Sequence, residues 1–225
     1  MNRMTRIGVA GLSFLLMASF GTGCKKKQQE GAQSTGVQSA GAGFVRVIHG
    51  ANAGAVDVSV NGVNVASGLN QNGFVRERVP FPAGVSTVNV SSGGANVATA
   101  NININAGQQY TFVVLGNSSA GFSGVLINDN LASAGGMNRF VHGMPAVGAA
   151  SFVADNGQEL VGGLTYKNAS NFVNVPAGFQ RVVVKSGGNT LGTDAVPNTA
   201  SRAVTTVAVP QGAGVHLINV VDRLN

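Results

Sequence analysis

The chain has 225 residues, a formal net charge of +6 and a single cysteine, which excludes an internal disulfide. From residue 44 onward, nine basic residues are spread among seven acidic ones, and the excess positive charge lies within the first 27 residues. Because nucleic-acid binding needs basic residues clustered on one surface, the sequence predicts no nucleic-acid partner.

The first 23 residues have the pattern of a bacterial export signal. Arg3 and Arg6 precede an uncharged, mostly apolar run over residues 7–20. That run is too short for a membrane-spanning helix, which needs about 20 apolar residues, and it has the length of a signal-peptide core. Residues 1–23 are therefore predicted to be removed on export.

The single cysteine follows this signal. Gly21-Thr22-Gly23-Cys24 resembles the lipobox of bacterial lipoproteins, although leucine is usual where Gly21 stands. The resemblance implies cleavage before Cys24, acylation of that residue and a membrane partner reached through the lipid. Lys25 replaces the aspartate that holds many such lipoproteins at the inner membrane, so the resemblance implies the outer membrane. The alternative is an ordinary secretory signal with an unrelated cysteine.

A polar segment over residues 24–43 separates the cysteine from the folded region. It begins with three lysines and continues mainly as Gln, Gly, Ser and Ala without hydrophobic periodicity. This composition predicts a disordered tether with a reach of about 25 Å. Lys25, Lys26 and Lys27 either lie against anionic headgroups or form a solvated charge run.

The rest of the chain contains an internal duplication. Four matches recur at an offset of 93 or 94 residues: Phe44–Gly50 with Met137–Gly143, Pro82–Gly84 with Pro176–Gly178, Ser92–Gly94 with Ser186–Gly188, and Asp129–Leu131 with Asp222–Leu224. Two units are therefore predicted, over residues 44–131 and 137–225. Because the join between them is short, we expect the two units to pack against each other.

Both units have the periodicity of β-strands. Val56, Val58 and Val60 alternate with polar residues, as in a sheet with one face in water, and Asn61-Gly62 marks a tight hairpin. No strand is predicted from Leu191 to Ser201, a region that contains Pro197 and that we interpret as a loop. Strands are predicted near residues 44–49, 55–60, 63–66, 73–79, 85–91, 97–104, 109–115 and 122–128, and near 137–142, 149–154, 159–161, 171–175, 180–185, 203–209 and 214–221.

Seven or eight short strands in about 90 residues are typical of a β-sandwich. The predicted fold class is all-β, with two tandem antiparallel β-sandwich domains. They are immunoglobulin-like in their layering only, because the chain has no tryptophan and no cysteine pair.

Several blocks of the first unit resemble the domain-of-unknown-function family 4397. They are Arg46–His49 followed by Ala55–Gly62, then Val79–Gly84, Tyr110–Val114 and Leu126–Leu131. The second unit resembles the family more weakly, since Ala150 stands where a counterpart of Asp57 is expected. The resemblance implies a secreted or surface-attached bacterial β-sandwich, often in tandem, and it implies no activity.

Arginine and aspartate occupy matching positions in both units. Arg46 and Arg139 each lie on a first strand, and Asp129 and Asp222 each follow a last strand. We predict one arginine–aspartate contact within each unit. The favoured interpretation is a partly buried structural ion pair, and the alternative is a ligand clamp.

Other chemistry-bearing residues form no recognisable site. His49 and His142 end the first strands and His216 is not duplicated, so we predict strand-end side chains and no metal or other cofactor. Low-affinity calcium at Asp57, Asp155 or Asp129 stays open, without a recognisable loop. No nucleophile elbow and no carboxylate pair indicates catalysis, which predicts a protein without catalytic residues.

An asparagine-rich strand face is the candidate ligand surface. Asn101, Asn103 and Asn105 alternate with apolar residues, and Asn89 is expected nearby. The face either offers amides to glycan hydroxyls or is simply solvated, and the chain lacks the tryptophan that sugar sites often use for stacking.

These observations predict a non-enzymatic cell-envelope lipoprotein that acts as a structural or adhesive module, with an envelope protein or glycan as its partner. The alternative is a glycan- or peptidoglycan-binding module, and a hydrolase is a more remote alternative.

Overall fold

The computed structural model describes residues 41–129, 131, 136–175, 181–197 and 202–222. Regular structure in these ranges consists of sixteen strands, which confirms the predicted all-β class. None of the described residues belongs to a helix long and apolar enough to cross a membrane. The predicted export signal, Cys24 and the tether up to residue 40 lie outside the described residues.

The first repeat contains two four-stranded sheets. One sheet has the order β4-β1-β7-β8 and the other has the order β3-β2-β5-β6. The strands are β1 (Ala42–His49), β2 (Val56–Val60), β3 (Val63–Leu69), β4 (Val79–Pro82), β5 (Gly84–Ser92), β6 (Ala95–Ile104), β7 (Gln109–Asn117) and β8 (Gly121–Asn128).

The second repeat has the same plan, with sheets ordered β12-β9-β15-β16 and β11-β10-β13-β14. Its strands are β9 (Met137–His142), β10 (Ala150–Ala154), β11 (Glu159–Leu164), β12 (Val173–Asn174), β13 (Arg181–Ser186), β14 (Asn189–Ala195), β15 (Ala203–Gln211) and β16 (Gly214–Asp222). In both repeats the first strand pairs in parallel with the seventh, β1 with β7 and β9 with β15.

Each repeat encloses its own apolar core between its two sheets. In the first repeat, Val56, Val58 and Val60 of β2 are buried against Phe112 and Val114 of β7. In the second repeat, Phe140 of β9 stacks on Phe152 of β10 with ring centroids 4.7 Å apart. The outward residues of β2, β5 and β6 are mostly polar, as the alternation in the sequence predicts, with the exposed Val85 on β5 as an exception.

A third apolar core joins the two repeats, which belong to one compact unit. Ile48, Val113 and Leu115 of the first repeat pack with Val207 and Val209 of the second, and all five are fully buried. The sheets that contain β1 and β9 therefore face each other, and the two repeats together form a stack of four sheets. This arrangement confirms the predicted packing of the two units.

The central position of these two sheets explains the burial of their strands. All positions of β7 except its two ends are buried, and the eight positions of β1 include only one that is partly exposed. A strand covered on both faces is expected to be almost continuously apolar rather than alternating. The apolar runs around Val113 and Val207 therefore record the contact between repeats.

Two strands differ from the prediction. The sequence predicts a loop from Leu191 to Ser201, but residues up to Ala195 belong to β14, which pairs with β13 along its length except at a bulge at Leu191. Gly192 and Asp194 have low strand propensity, and the ladder with β13 overrides that preference. A fourth strand is predicted near residues 73–79, but the structure places it at Val79–Pro82. It contains two prolines, Pro80 and Pro82, which an edge strand tolerates.

Candidate functional site

The duplicated arginines and aspartates meet in one cluster between the two central sheets. Arg46 on β1 lies opposite Thr111 on β7, and Arg139 on β9 lies opposite Thr205 on β15. Each arginine donates a hydrogen bond to its threonine hydroxyl at 2.9 Å. The matching register shows that the duplication preserved a short motif of two strands.

The shortest ion pairs cross from one repeat to the other. Of the contacts predicted within each unit, the one between Arg46 and Asp129 is present in the first repeat as a longer ion pair. Arg46 contacts Asp222 through Nη1 at 2.7 Å and through Nη2 at 2.8 Å. Arg139 contacts Asp129 in the same crossed manner. Within the first repeat, Arg46 and Asp129 are farther apart, at 3.8 Å. Each closing aspartate thus neutralises the arginine of the opposite repeat, and the cluster fastens the two repeats together.

A third arginine, which the sequence analysis missed, bridges both aspartates. Arg78 Nη2 donates to Asp129 and to Asp222, each at 2.9 Å. The equivalent position in the second repeat holds Phe172, whose ring lies 4.8 Å from the guanidinium carbon of Arg139. A comparison of the repeats selects residues that recur, so it could not reveal a member present only once.

Burial and charge oppose each other throughout the cluster. Burial lowers the pKa of Arg46 despite the nearby Asp222 and Asp129. Burial also acts against the charge of Arg78, but hydrogen bonds and attraction from the two aspartates outweigh it and raise its pKa. For Asp129, burial would raise the pKa, yet attraction from Arg139 and Arg46 holds it below the ordinary 3.8.

The cluster has the properties of a structural fastener. Arg46, Asp129 and Asp222 are each at most 4 % exposed, and the Asp129 carboxylate also accepts a 2.5 Å hydrogen bond from Thr111. Only the side chain of Arg78, at 16 % exposure, reaches solvent. A ligand clamp needs charges that a ligand can contact, and this arrangement favours the structural interpretation.

The duplicated histidines hold loops at the ends of the first strands. His49 Nε2 donates to the Gly54 carbonyl at 2.9 Å, and His142 Nε2 donates to the Gly148 carbonyl at 2.8 Å. Burial lowers the pKa of both rings below 6.5, which favours this neutral, donating form. His216 is instead paired with Asp194 at 2.9 Å. The described part of the chain contains no group of three or more His, Cys, Asp or Glu side chains that could hold a metal ion.

The glycine after each histidine lies against the opposite repeat. A Cβ at Gly50 would come within 2.9 Å of Val209 Cγ1, and a Cβ at Gly143 would come within 2.8 Å of Leu115 Cδ2. Leu115 and Val209 occupy equivalent positions on β7 and β15. The duplicated His-Gly pair therefore combines a loop anchor with a close contact between repeats.

The candidate ligand surface lies on the outermost sheet of the first repeat. Asn89 on β5 and Asn101 and Asn103 on β6 point away from the core, whereas Asn105 follows the end of β6. The Asn105 backbone nitrogen donates to the Tyr110 hydroxyl at 3.0 Å, which fixes the turn. The structure thus places three of the four asparagines on one face.

These features define a class of protein: two β-sandwich repeats joined face to face through an apolar core and a crossed ion-pair cluster. The chain belongs to the family described as Domain of unknown function (DUF4397), whose model matches residues 43–138 and again residues 136–225. The two matches correspond to the two structural repeats. No curated protein matches the chain.

Proposed function

We propose that the protein is exported, anchored to the bacterial outer membrane through acylated Cys24, and acts there as a non-enzymatic structural or adhesive module. The anchor rests on the sequence pattern that ends at Cys24. The mechanism is mechanical: the lipid holds the protein, the tether provides reach, and the sheet block presents its outer faces to partners.

The union of the two repeats into one four-sheet block is the observation that carries the proposal. A spacer or adhesive module has to transmit force without separating into its parts. Ile48, Val113 and Val207 bury an apolar interface, and Arg46–Asp222 adds a buried ion pair across it. Interfaces of this apolar, buried kind hold domains in a fixed relation better than polar ones do.

The use of the reactive side chains also supports a non-enzymatic role. The histidines that end the first strands donate to loop carbonyls, and the cluster arginines are paired with Asp129 and Asp222. A general base or nucleophile has to face a substrate with its reactive atom. This consideration ranks a structural module above a hydrolase.

The anchor is tested by mass spectrometry of the mature N-terminus after expression of the full chain in a Gram-negative host. We expect a first residue Cys24 that carries acyl chains, and recovery in the outer-membrane fraction. The matched control is Cys24→Ser, which keeps the signal and removes the thiol, and which should appear in the soluble fraction. An unmodified wild-type cysteine, or equal fractionation of both proteins, would contradict the anchor.

The adhesive role is tested on cells that display the anchored protein. Attachment of these cells to abiotic and polysaccharide-coated surfaces is compared with attachment of cells that express Cys24→Ser. We expect greater attachment, or greater resistance to envelope stress, only with the anchored protein. If the two strains show equal attachment and equal resistance to envelope stress, the result argues against a structural or adhesive role.

A further inference from the structure

The outer face of strands β5 and β6 carries mainly uncharged hydroxyl and amide groups, with one exposed apolar side chain, Val85, near one end. Register pairs place Thr87 beside Asn101 and Asn89 beside Thr99. The alternate residues Val88, Val90 and Ile102 are buried, so the polar members all point to the same, outer side. About a quarter of all residues in a typical globular domain are charged, whereas none of these outward residues on β5 and β6 is charged.

The second repeat shows that the fold does not require this chemistry. Strands β13 and β14 pair in the same register as β5 and β6, including a bulge at the same place. At the positions equivalent to Thr87, Asn89, Ser91 and Asn101, the second repeat carries Arg181, Val183, Lys185 and Ala195. One sheet frame therefore supports a neutral polar face in the first repeat and a cationic, partly apolar face in the second.

The face keeps free hydrogen-bonding groups. The Thr87 hydroxyl donates to the side-chain Oδ1 of Asn101 at 3.1 Å, and the Thr99 hydroxyl donates to the side-chain Oδ1 of Asn89 at 3.0 Å. These bonds orient both amides and leave their NH₂ groups available. The Asn103 side chain, which is exposed, makes no hydrogen bond. Asp57 on neighbouring β2 accepts from the backbone nitrogen of Gly68 at 2.8 Å, which restrains the carboxylate of this sheet.

We propose that this face binds an uncharged polysaccharide, and this inference rests on the proposed adhesive role. A neutral sugar polymer offers hydroxyl groups that both donate and accept, which matches oriented amides and hydroxyls. The lack of lysine and arginine on β5 and β6 gives no attraction for anionic polymers. Strand β6 has ten residues and extends roughly 33 Å at the usual rise per residue, so an extended chain can follow it.

The test transfers the face between repeats. The loss variant, Thr87→Arg/Asn89→Val/Ser91→Lys/Asn101→Ala, gives the first repeat the residues of the second. The gain variant, Arg181→Thr/Val183→Asn/Lys185→Ser/Ala195→Asn, makes the reverse exchange. Full-length mature proteins in mild detergent are applied to microcrystalline cellulose, chitin and cross-linked dextran, with anionic alginate as the comparison. Thermal melts establish that each variant is folded.

We expect the wild type to be retained on at least one neutral polymer. The affinity of the loss variant should be at least about 25-fold lower, because two or more hydrogen bonds worth roughly fivefold each disappear. The gain variant should bind more than the wild type. If the loss variant does not fold, the gain variant tests the proposal instead, because misfolding would not increase specific retention on a neutral polymer.

No retention of the wild type on any neutral polymer, retention on alginate alone, or equal retention of the wild type and a folded loss variant would overturn the proposal. So would equal binding of the gain variant and the wild type when the loss variant is unfolded. Retention on the polymers reports on the sheet face alone, because acylation of Cys24 is measured separately by mass spectrometry. A failed anchor and a failed binding face therefore give different results.

Discussion

Substitution of Asp129 by asparagine tests the crossed ion-pair cluster most directly. The Asp129 carboxylate contacts Arg78 at 2.9 Å, accepts a hydrogen bond from Thr111 at 2.5 Å and pairs with Arg139. Asparagine has nearly the same shape and removes the negative charge. Three arginines would then share only the carboxylate of Asp222, in a place where water reaches only the edge of the cluster.

The expected cost follows from the burial of the partners. Removal of one partner of a buried ion pair costs about 3–5 kcal/mol, because the remaining charge stays desolvated and unpaired. For a domain of this size, 1 kcal/mol corresponds to about 2–4 °C in melting temperature, so the melt should fall by about 6–20 °C. Arg78→Met should cost less than Asp129→Asn, because it leaves two arginines facing two aspartates.

The assay is urea and thermal unfolding of the full-length protein, followed by circular dichroism. The matched control is Asp155→Asn, which makes the same chemical change at an exposed turn and should shift stability by less than about 0.5 kcal/mol. If Asp129→Asn melts like its control, or if Arg78→Met is the more damaging variant, the charge argument is wrong.

Three further predictions concern the interface and its titrating groups. Gly143→Ala should destabilise by about 1–3 kcal/mol, because its Cβ would lie 2.8 Å from the Ala208 carbonyl oxygen and from Leu115, whereas Gly54→Ala meets open space and should be neutral in a parallel melt. Stability should fall as the pH drops below about 6.5, because burial lowers the pKa of His49 and His142 and the unfolded chain then binds more protons than the folded one. A second loss of stability is expected below pH 3.8, as Asp129 becomes protonated at its lowered pKa. A melting temperature that stays constant from pH 7.5 to 5 would contradict the prediction for the histidines. A chain that ends after residue 131 would expose Ile48, Val113, Leu115 and Ile127, so it should bind a hydrophobic dye or self-associate, in contrast to the intact protein in the same light-scattering measurement.

The residue pattern along the chain was sufficient to predict most of the strands, because turn residues and the alternation of apolar and polar residues depend only on sequence neighbours. Asn61 and Gly62 adopt φ angles of 49° and 79°, which the tight hairpin requires and which asparagine and glycine tolerate best. The alternation of Val56, Val58 and Val60 likewise predicts which side of β2 faces the core. Such signals depend on neighbours in the chain, so a single sequence contains them.

The cluster required the tertiary structure because its partners are distant in the chain. Arg46 and Asp222 are 176 residues apart, and the duplication alone allows either a pair within each unit or a crossed pair. Arg78 recurs nowhere, so no comparison of the repeats indicates its role. Strand β14 is a similar case, since residues such as Gly192 become a strand through their ladder with β13.

By itself, the sequence determined the duplication, the all-β class and the pairing of an exposed polar side with a buried apolar side, because each depends on periodicity along the chain. The tertiary structure decided that the repeats stack face to face and that their charges cross, because the free energy of burying Ile48, Val113 and Val207 depends on which surfaces meet in space.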